Sequence, residues 1–297
     1  MATINAPVWK NTEKSVTWTA SPYTYSIVMA DTPESITVFS GKAWVRPGEE
    51  FLKININNIA QNYLTSDLPD LREITSNTTY DNIYACRQFY LVDSQNVTSD
   101  TYNFLLDYSY EDVDMTRRHN MSEPINGHGT SGMFFLNTEF YASELKVRTH
   151  ININAGSSFD DTHCGKYAIY YLNSHGGWDS FLLEGNCVRT DTYKRNEMSS
   201  SYDNTKLDFG KKVYNNVTTP SWDLKTGWLN NTEAEILVRN LLPSVKAYLH
   251  NLVTDEITPV NITDGSGIYK TYMNQGRKRV SYTIKAEAAQ NKVYIIK

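Results

Sequence analysis

The sequence predicts a mainly β protein, built of antiparallel β-sandwich modules with one or two short helices and long polar loops. Three observations point there. Tyrosine occurs 21 times against 10 phenylalanines in 297 residues, and threonine and asparagine are frequent, a mixture that suits half-wetted pleated strands joined by polar turns. Short β-prone runs recur between Gly, Pro and Asn punctuation. Where alternation is clearest its period is two: Val280, Tyr282, Ile284 and Ala286 interleave with Ser281, Thr283, Lys285 and Glu287.

From the N-terminus, Ser35–Phe39, Lys42–Arg46 and Phe51–Ile56 read as a meander. Its breaks are Ser40-Gly41 and Pro47-Gly48, where proline sets the first corner and glycine accepts a positive φ. Asn57 caps a brief helix through Leu64, which stops before Pro69. Strands follow at Arg87–Val92 and Tyr102–Tyr110, then a polar stretch over 111–132 reads as a long loop. Met133–Leu136 and Leu145–Ile153 open the second half as strands. The length supports two units, an N-terminal β domain over 1–135 and a C-terminal β domain over 136–297 with one helix near 232–242, with a single large β domain as the alternative.

Tyr167–Leu172 and Trp178–Leu183 alternate on either side of Asn173-Ser174-His175-Gly176-Gly177, which is the pattern of a hairpin. The glycines supply the reversal, Trp178 starts the return strand over its neighbour, and His175 falls at the exposed tip. Thr190–Thr219 reads as a polar insert. Thr232 and Glu235 form a capping-box pattern, so a helix follows, with Ile236, Leu237 and Leu241 on its apolar side and Pro243 limiting it. Val245–Leu252, Glu256–Thr263, Tyr269–Met273 and Arg279–Ala289 are the remaining predicted strands.

A net charge of −5 and a pI near 5.7 argue against a dedicated nucleic-acid binder, which needs a basic face. Cys86, Cys164 and Cys187 are odd in number, widely spaced and without a CxxC pair, as in a chain kept in a reducing compartment. The N-terminal residues lack the pattern of a signal peptide, and no run of apolar residues is long enough to span a membrane, so a soluble chain is expected. The Asn-x-Thr triplets at Asn77, Asn96, Asn216 and Asn261 are accordingly read as compositional.

Chemical motifs are few. Gly127-His128-Gly129-Thr130-Ser131-Gly132 matches the spacing of a dinucleotide fingerprint, but it lacks the preceding apolar strand, the following helix and the distal acid that give this spacing meaning. It reads as loop. His163, Cys164 and His175, with Asp160 and Asp161, are the nearest approach to a metal set, and their spacing fits no standard zinc pattern. No G-x-S-x-G elbow occurs. Glu49-Glu50, Asp112 with Asp114, and Asp255-Glu256 fall in turns and loops, where carboxylates are ordinarily solvated. The expectation is therefore no catalytic, cofactor or metal site, and no enzyme.

One resemblance spans Tyr170 to the C-terminus. The order YYLNSHGGWDSFLLEG, a polar insert, Thr226-Gly227-Trp228-Leu229, TEAEILVRNLLPSVKAYLHNL, ITPVNITD and VSYTIKAEAAQNK resembles structural proteins of tailed bacteriophages of gut Bacteroidetes, most closely the tail and neck proteins of the crAss-like group. The stretch SITVFSGKAWVRPGEEFLKININNIAQNYL agrees with them in style. The resemblance implies a virion protein that forms a homo-oligomeric ring or adaptor layer between portal and tail tip, contacts other tail and neck proteins, and has no cofactor. Lys194, Arg195, Lys206, Lys211 and Lys212 in the polar insert could then face DNA passing through a channel, although a solvated surface accounts for them as well. The alternative is a carbohydrate- or receptor-binding tail module, in which Trp44, Trp178, Trp222 and Trp228 stack on sugar rings. Clustering of several on one groove favours that alternative; dispersal into cores does not. A tail-tip hydrolase stays a third class, tested by a pair of carboxylates in a cleft.

Overall fold

A computed structural model describes residues 23–30, 35–44, 59–60, 62–93, 102–105, 119–120, 132–141, 144, 146–153, 167–173, 176–199, 210–264 and 280–295. The architecture is mainly β, with antiparallel sheets and one short α-helix. In chain order the strands are β1 (Tyr23–Met29), β2 (Ile36–Ala43), β3 (Thr78–Asn82), β4 (Cys86–Asp93), β5 (Tyr102–Leu105), β6 (His119–Asn120), β7 (Phe134–Tyr141) and β8 (Lys146–Ile153). The second half contributes β9 (Tyr167–Leu172), β10 (Trp178–Leu183), β11 (Val188–Ser199), β12 (Lys211–Lys225), β13 (Ala247–Asn251), β14 (Glu256–Ile262), β15 (Thr283–Ala288) and β16 (Lys292–Ile295). Helix α1 (Asn231–Ile236) continues into a wider turn over Leu237–Leu241.

Among the described residues three sheets result, with orders β2-β1-β4-β5, β3-β8-β7-β6 and β10-β9-β13-β14-β15-β12-β11, the last also pairing β16 to β12. Ile27, Phe89 and Leu91 from the first sheet, Leu136, Phe140 and Ile151 from the second, and Tyr170, Trp178 and Leu182 from the third bury one shared core. Position 135–136 lies within β7, and this core draws on residues from both sides of it. A second core lies on the opposite face of the third sheet, where Ile169, Tyr171, Phe181, Leu249 and Ile284 pack with Ala234, Leu237 and Leu241 of the helical segment. β9 and β10 are therefore sandwiched between two cores, and nearly every residue in them is buried.

Both faces of this hairpin are dry: Ile169 and Tyr171 share one face as expected, and Ala168, Tyr170 and Leu172 on the other are as buried. Trp178 sits in the core against Tyr248 of β13, with ring centroids 5.7 Å apart. The hairpin register itself is as predicted, Trp178 opposite Leu172 and Leu183 opposite Tyr167. Asn173 closes it by accepting from the Gly177 amide at 2.8 Å, and Gly176 takes φ 79°. His175 lies outside the described residues.

Other boundaries shift for local reasons. β2 runs straight through Ser40-Gly41, paired to Ser26 and Tyr25 of β1, with Gly41 close under the Tyr25 and Phe39 rings. The capping box is Asn230 with Glu233: Asn230 Oδ1 accepts from the Glu233 amide and Glu233 Oε2 from the Asn230 amide, both at 2.8 Å. Thr232 lies inside the helix instead of capping it. Residues 59–60 are helical, β5 covers the start of Tyr102–Tyr110, and β6 is a two-residue strand within the predicted loop over 111–132. Val280 forms a lone bridge to Leu229, so the last long strand starts at Thr283, and β16 was not predicted. Phe51–Ile56 and Tyr269–Met273 lie outside the described residues.

The third sheet curls on itself. The Gly185 amide donates to the Lys225 carbonyl at 3.0 Å, which brings the end of β10 onto the end of β12. A Cβ on Gly185 would lie 2.4 Å from Lys225 Cβ and 2.7 Å from its carbonyl oxygen, so only glycine permits this approach.

Candidate functional site

Three features carry unusual polar or exposed chemistry. The first is a buried chain joining two sheets. The Phe134 amide donates to Tyr170 Oη at 3.2 Å, Tyr170 Oη lies 2.9 Å from His250 Nδ1, and His250 Nε2 lies 2.8 Å from Asp255 Oδ1. One assignment satisfies every group: Tyr170 donates its hydroxyl proton to Nδ1, and Nε2–H donates to Asp255. Burial pushes the Tyr170 hydroxyl well up and pulls the His250 imidazole below its usual 6.5, against the opposing pull of Asp255. His250 is fully buried, so this string of acid, imidazole and hydroxyl has no reachable atom except the Asp255 carboxylate. It ties the second sheet to the third.

A second tie centres on Trp178. Its Nε1–H donates to Ser66 Oγ at 3.0 Å, its amide donates to Thr138 Oγ1 at 3.0 Å, and Thr138 Oγ1 lies 3.0 Å from Thr149 Oγ1. Lys246 Nζ donates to the Ser66 carbonyl at 3.0 Å and pairs with Asp67 at 2.9 Å. Such satisfied buried networks specify a packing arrangement.

The third feature is the β11–β12 ribbon, the expected polar insert of Thr190–Thr219. It is a correction to that reading: these residues form long paired strands, from Val188 opposite Asp223 to Ser199 opposite Lys211, with only 200–209 outside the described residues. β11 ends its sheet. β12 has second partners only from Asn215 onward, β16 at Asn215–Thr218 and β15 at Ser221–Lys225, so residues 211–214 and the facing end of β11 form a two-stranded ribbon among the described residues. A bulge between Asn196 and Glu197 leaves Tyr214 as the extra residue. Val188, Tyr193, Met198 and Tyr214 are 46–57% exposed.

At the base of that ribbon lies a cleft of about 180 Å³, lined by Tyr167, Arg189, Trp222, Asn251, Glu256 and Asn291 among others. Arg189 grips Asp191 at 2.9 and 3.2 Å and lies over the Trp222 ring at 5.8 Å from its centroid. Asp191 chiefly, with Glu256 behind it, raises the guanidinium pKa, so the arginine charge is already answered inside the cleft.

Most of the candidate site residues fall where the structure is not described. Gly127–Ser131, His163, Cys164, His175, Asp160, Asp161, Glu49, Glu50, Asp112, Asp114 and Lys206 lie outside the described residues, and among the described residues no group of His, Cys, Asp and Glu is arranged to hold a metal. Of the four tryptophans named above, Trp178 and Trp222 are buried in the two cores, Trp44 and Trp228 are exposed, and Trp222 alone of the four lines the cleft. Arg189, Asn251 and Asn291 were missed because they come from separate strands and a turn. The β-prone Thr, Tyr and Val of 190–193 and 213–219 were the signal that could have marked the ribbon as strand. No described helix is long and apolar enough to cross a membrane. No protein-family model, curated protein or solved structure matches the chain.

Proposed function

We propose that the chain is a non-catalytic structural protein that packs side by side with copies of itself, as a ring or adaptor layer of a tailed-bacteriophage neck or tail. The observation that carries this reading is the ribbon. A two-stranded ribbon is marginal in water by itself, and a long edge strand with half-exposed Tyr, Met and Val invites a covering partner. The resemblance of the C-terminal sequence to tail and neck proteins supports the virion setting.

Charge favours a second copy as that partner. The two ribbon strands carry Arg189, Lys194, Arg195, Lys211, Lys212 and Lys225 against Asp191, Glu197 and Asp223, a surplus of cations in a chain whose net charge is −5. Two ribbons repel each other, whereas a ribbon laid on the acidic remainder of the next copy is attracted. Such a contact is heterologous, and heterologous contacts close into rings when the rotation permits. Tyr193→Lys combined with Met198→Lys tests it: both side chains are exposed, so the fold should hold. Light scattering should show the oligomer of the parent chain reduced to a monomer, with a roughly 30-fold or larger loss of association per lost anchor. An unchanged oligomer would remove the ribbon from the contact.

A further inference from the structure

The cleft at the ribbon base has features that assembly does not use. Its volume of about 180 Å³ is the space of roughly six liquid waters and lies below the several hundred Å³ typical of sites for drug-sized ligands. A single sugar ring is of the right size; a nucleotide cofactor is not. Its walls combine the Trp222 and Tyr167 rings with polar groups from β11, β13, β14 and the turn before β16.

Those polar groups are oriented. Asn251 Oδ1 accepts from the Val253 and Thr254 amides at 3.0 and 3.3 Å, which pins the side chain and commits its oxygen, so the carboxamide NH₂ is the group it has to offer. Asn291 Oδ1 accepts from Thr219 Oγ1 at 2.8 Å and likewise keeps its NH₂. Glu256 is exposed and supplies an acceptor. Arg189 is held by Asp191, with Glu256 on the same cleft, so carboxylates outnumber the cation. A site with fixed NH₂ donors, a carboxylate acceptor, one aromatic wall in Tyr167 and no surplus positive charge suits a ligand whose neighbouring hydroxyls donate and accept and whose C–H face is apolar. It does not suit an anion.

We propose that this cleft binds a single neutral saccharide unit, independently of whether the ribbon mediates assembly. Glu256 and the Asn251 and Asn291 amides engage hydroxyls, while Tyr167, the half-buried aromatic of the lining, faces the ring carbons. Saturation-transfer NMR on the full chain tests it with glucose, galactose, mannose and N-acetylglucosamine, and with glucuronate and N-acetylneuraminate as acidic counterparts. At least one neutral sugar should receive saturation with a Kd on the order of millimolar, the ordinary strength of so small a contact. N251D and N291D each keep the oxygen that the backbone or Thr219 uses and lose the NH₂ donors, so each should weaken binding about tenfold or more without moving the melting temperature. No transfer to any neutral sugar, preference for the acidic sugars, or binding indifferent to both substitutions would overturn the proposal.

Discussion

At the residue scale, His250 sets how the fold responds to acid. Its imidazole is held below 6.5 mainly by burial, so the folded protein resists the proton that the unfolded chain takes up. The histidine contribution is then complete above pH 6.5 and declines as pH falls through that value toward the lower folded pKa. Thermal melting from pH 7.5 to 5 should show that decline, and His250→Gln should flatten it while lowering stability at neutral pH by ~1–3 kcal/mol through loss of the Tyr170 and Asp255 bonds. An equally steep decline in the variant would assign the effect elsewhere. Trp178 gives a second test. Trp178→Phe keeps part of the ring but removes the donor to Ser66 Oγ, leaving that hydroxyl only its 3.4 Å bond to the Gly176 carbonyl, and should cost ~1–3 kcal/mol in a denaturant titration.

Trp178 also shows what sequence makes legible. Its place at the start of a return strand follows from Asn173-Ser174-His175-Gly176-Gly177, since turn chemistry is local. That both faces of β9 and β10 are buried does not follow, because the layer covering the second face comes from β1, β4, β7 and β8, far away in the chain. Alternation of Tyr167, Ile169 and Tyr171 reads the same whether the intervening Ala168 and Tyr170 meet water or another sheet.

At the element scale, the helix start illustrates competition between adjacent caps. Asn230 and Thr232 each precede a glutamate by three residues, and the reciprocal bonds form at Asn230 and Glu233. Beginning the helix there places Ala234, Leu237, Val238 and Leu241 on the second core. Asn230→Ala should cost ~1 kcal/mol in an equilibrium melt, and Thr232→Ala less. A larger loss at Thr232 would contradict the assignment. The ribbon presents the opposite difficulty. Its strands are polar on both faces, so hydrophobic periodicity, the main signal for a buried strand, is absent, and the residues look like an insert. The cleft was invisible for a third reason, since Tyr167, Arg189, Trp222, Asn251 and Asn291 meet only after the sheet curls at Gly185 and Lys225.

At the scale of the whole molecule, two cores lie on either side of a shared wall, β9 and β10, and the buried Ser66, Thr138 and Ser180 side chains join layers to one another. This suits a part that keeps its shape while edges and ribbons make contacts. The proposed assembly is electrostatic as well as apolar, so raising salt from about 0.1 M to 1 M shortens the screening length from about 10 to 3 Å and should weaken it. The Tyr193→Lys and Met198→Lys pair should act at any salt.

The most direct test is the mass of the purified chain by light scattering across protein concentration, beside that of the Tyr193→Lys and Met198→Lys variant. The account predicts a discrete oligomer for the parent chain and a folded monomer for the variant. A parent chain that stays monomeric at every concentration, or a variant that assembles as the parent does, would contradict it.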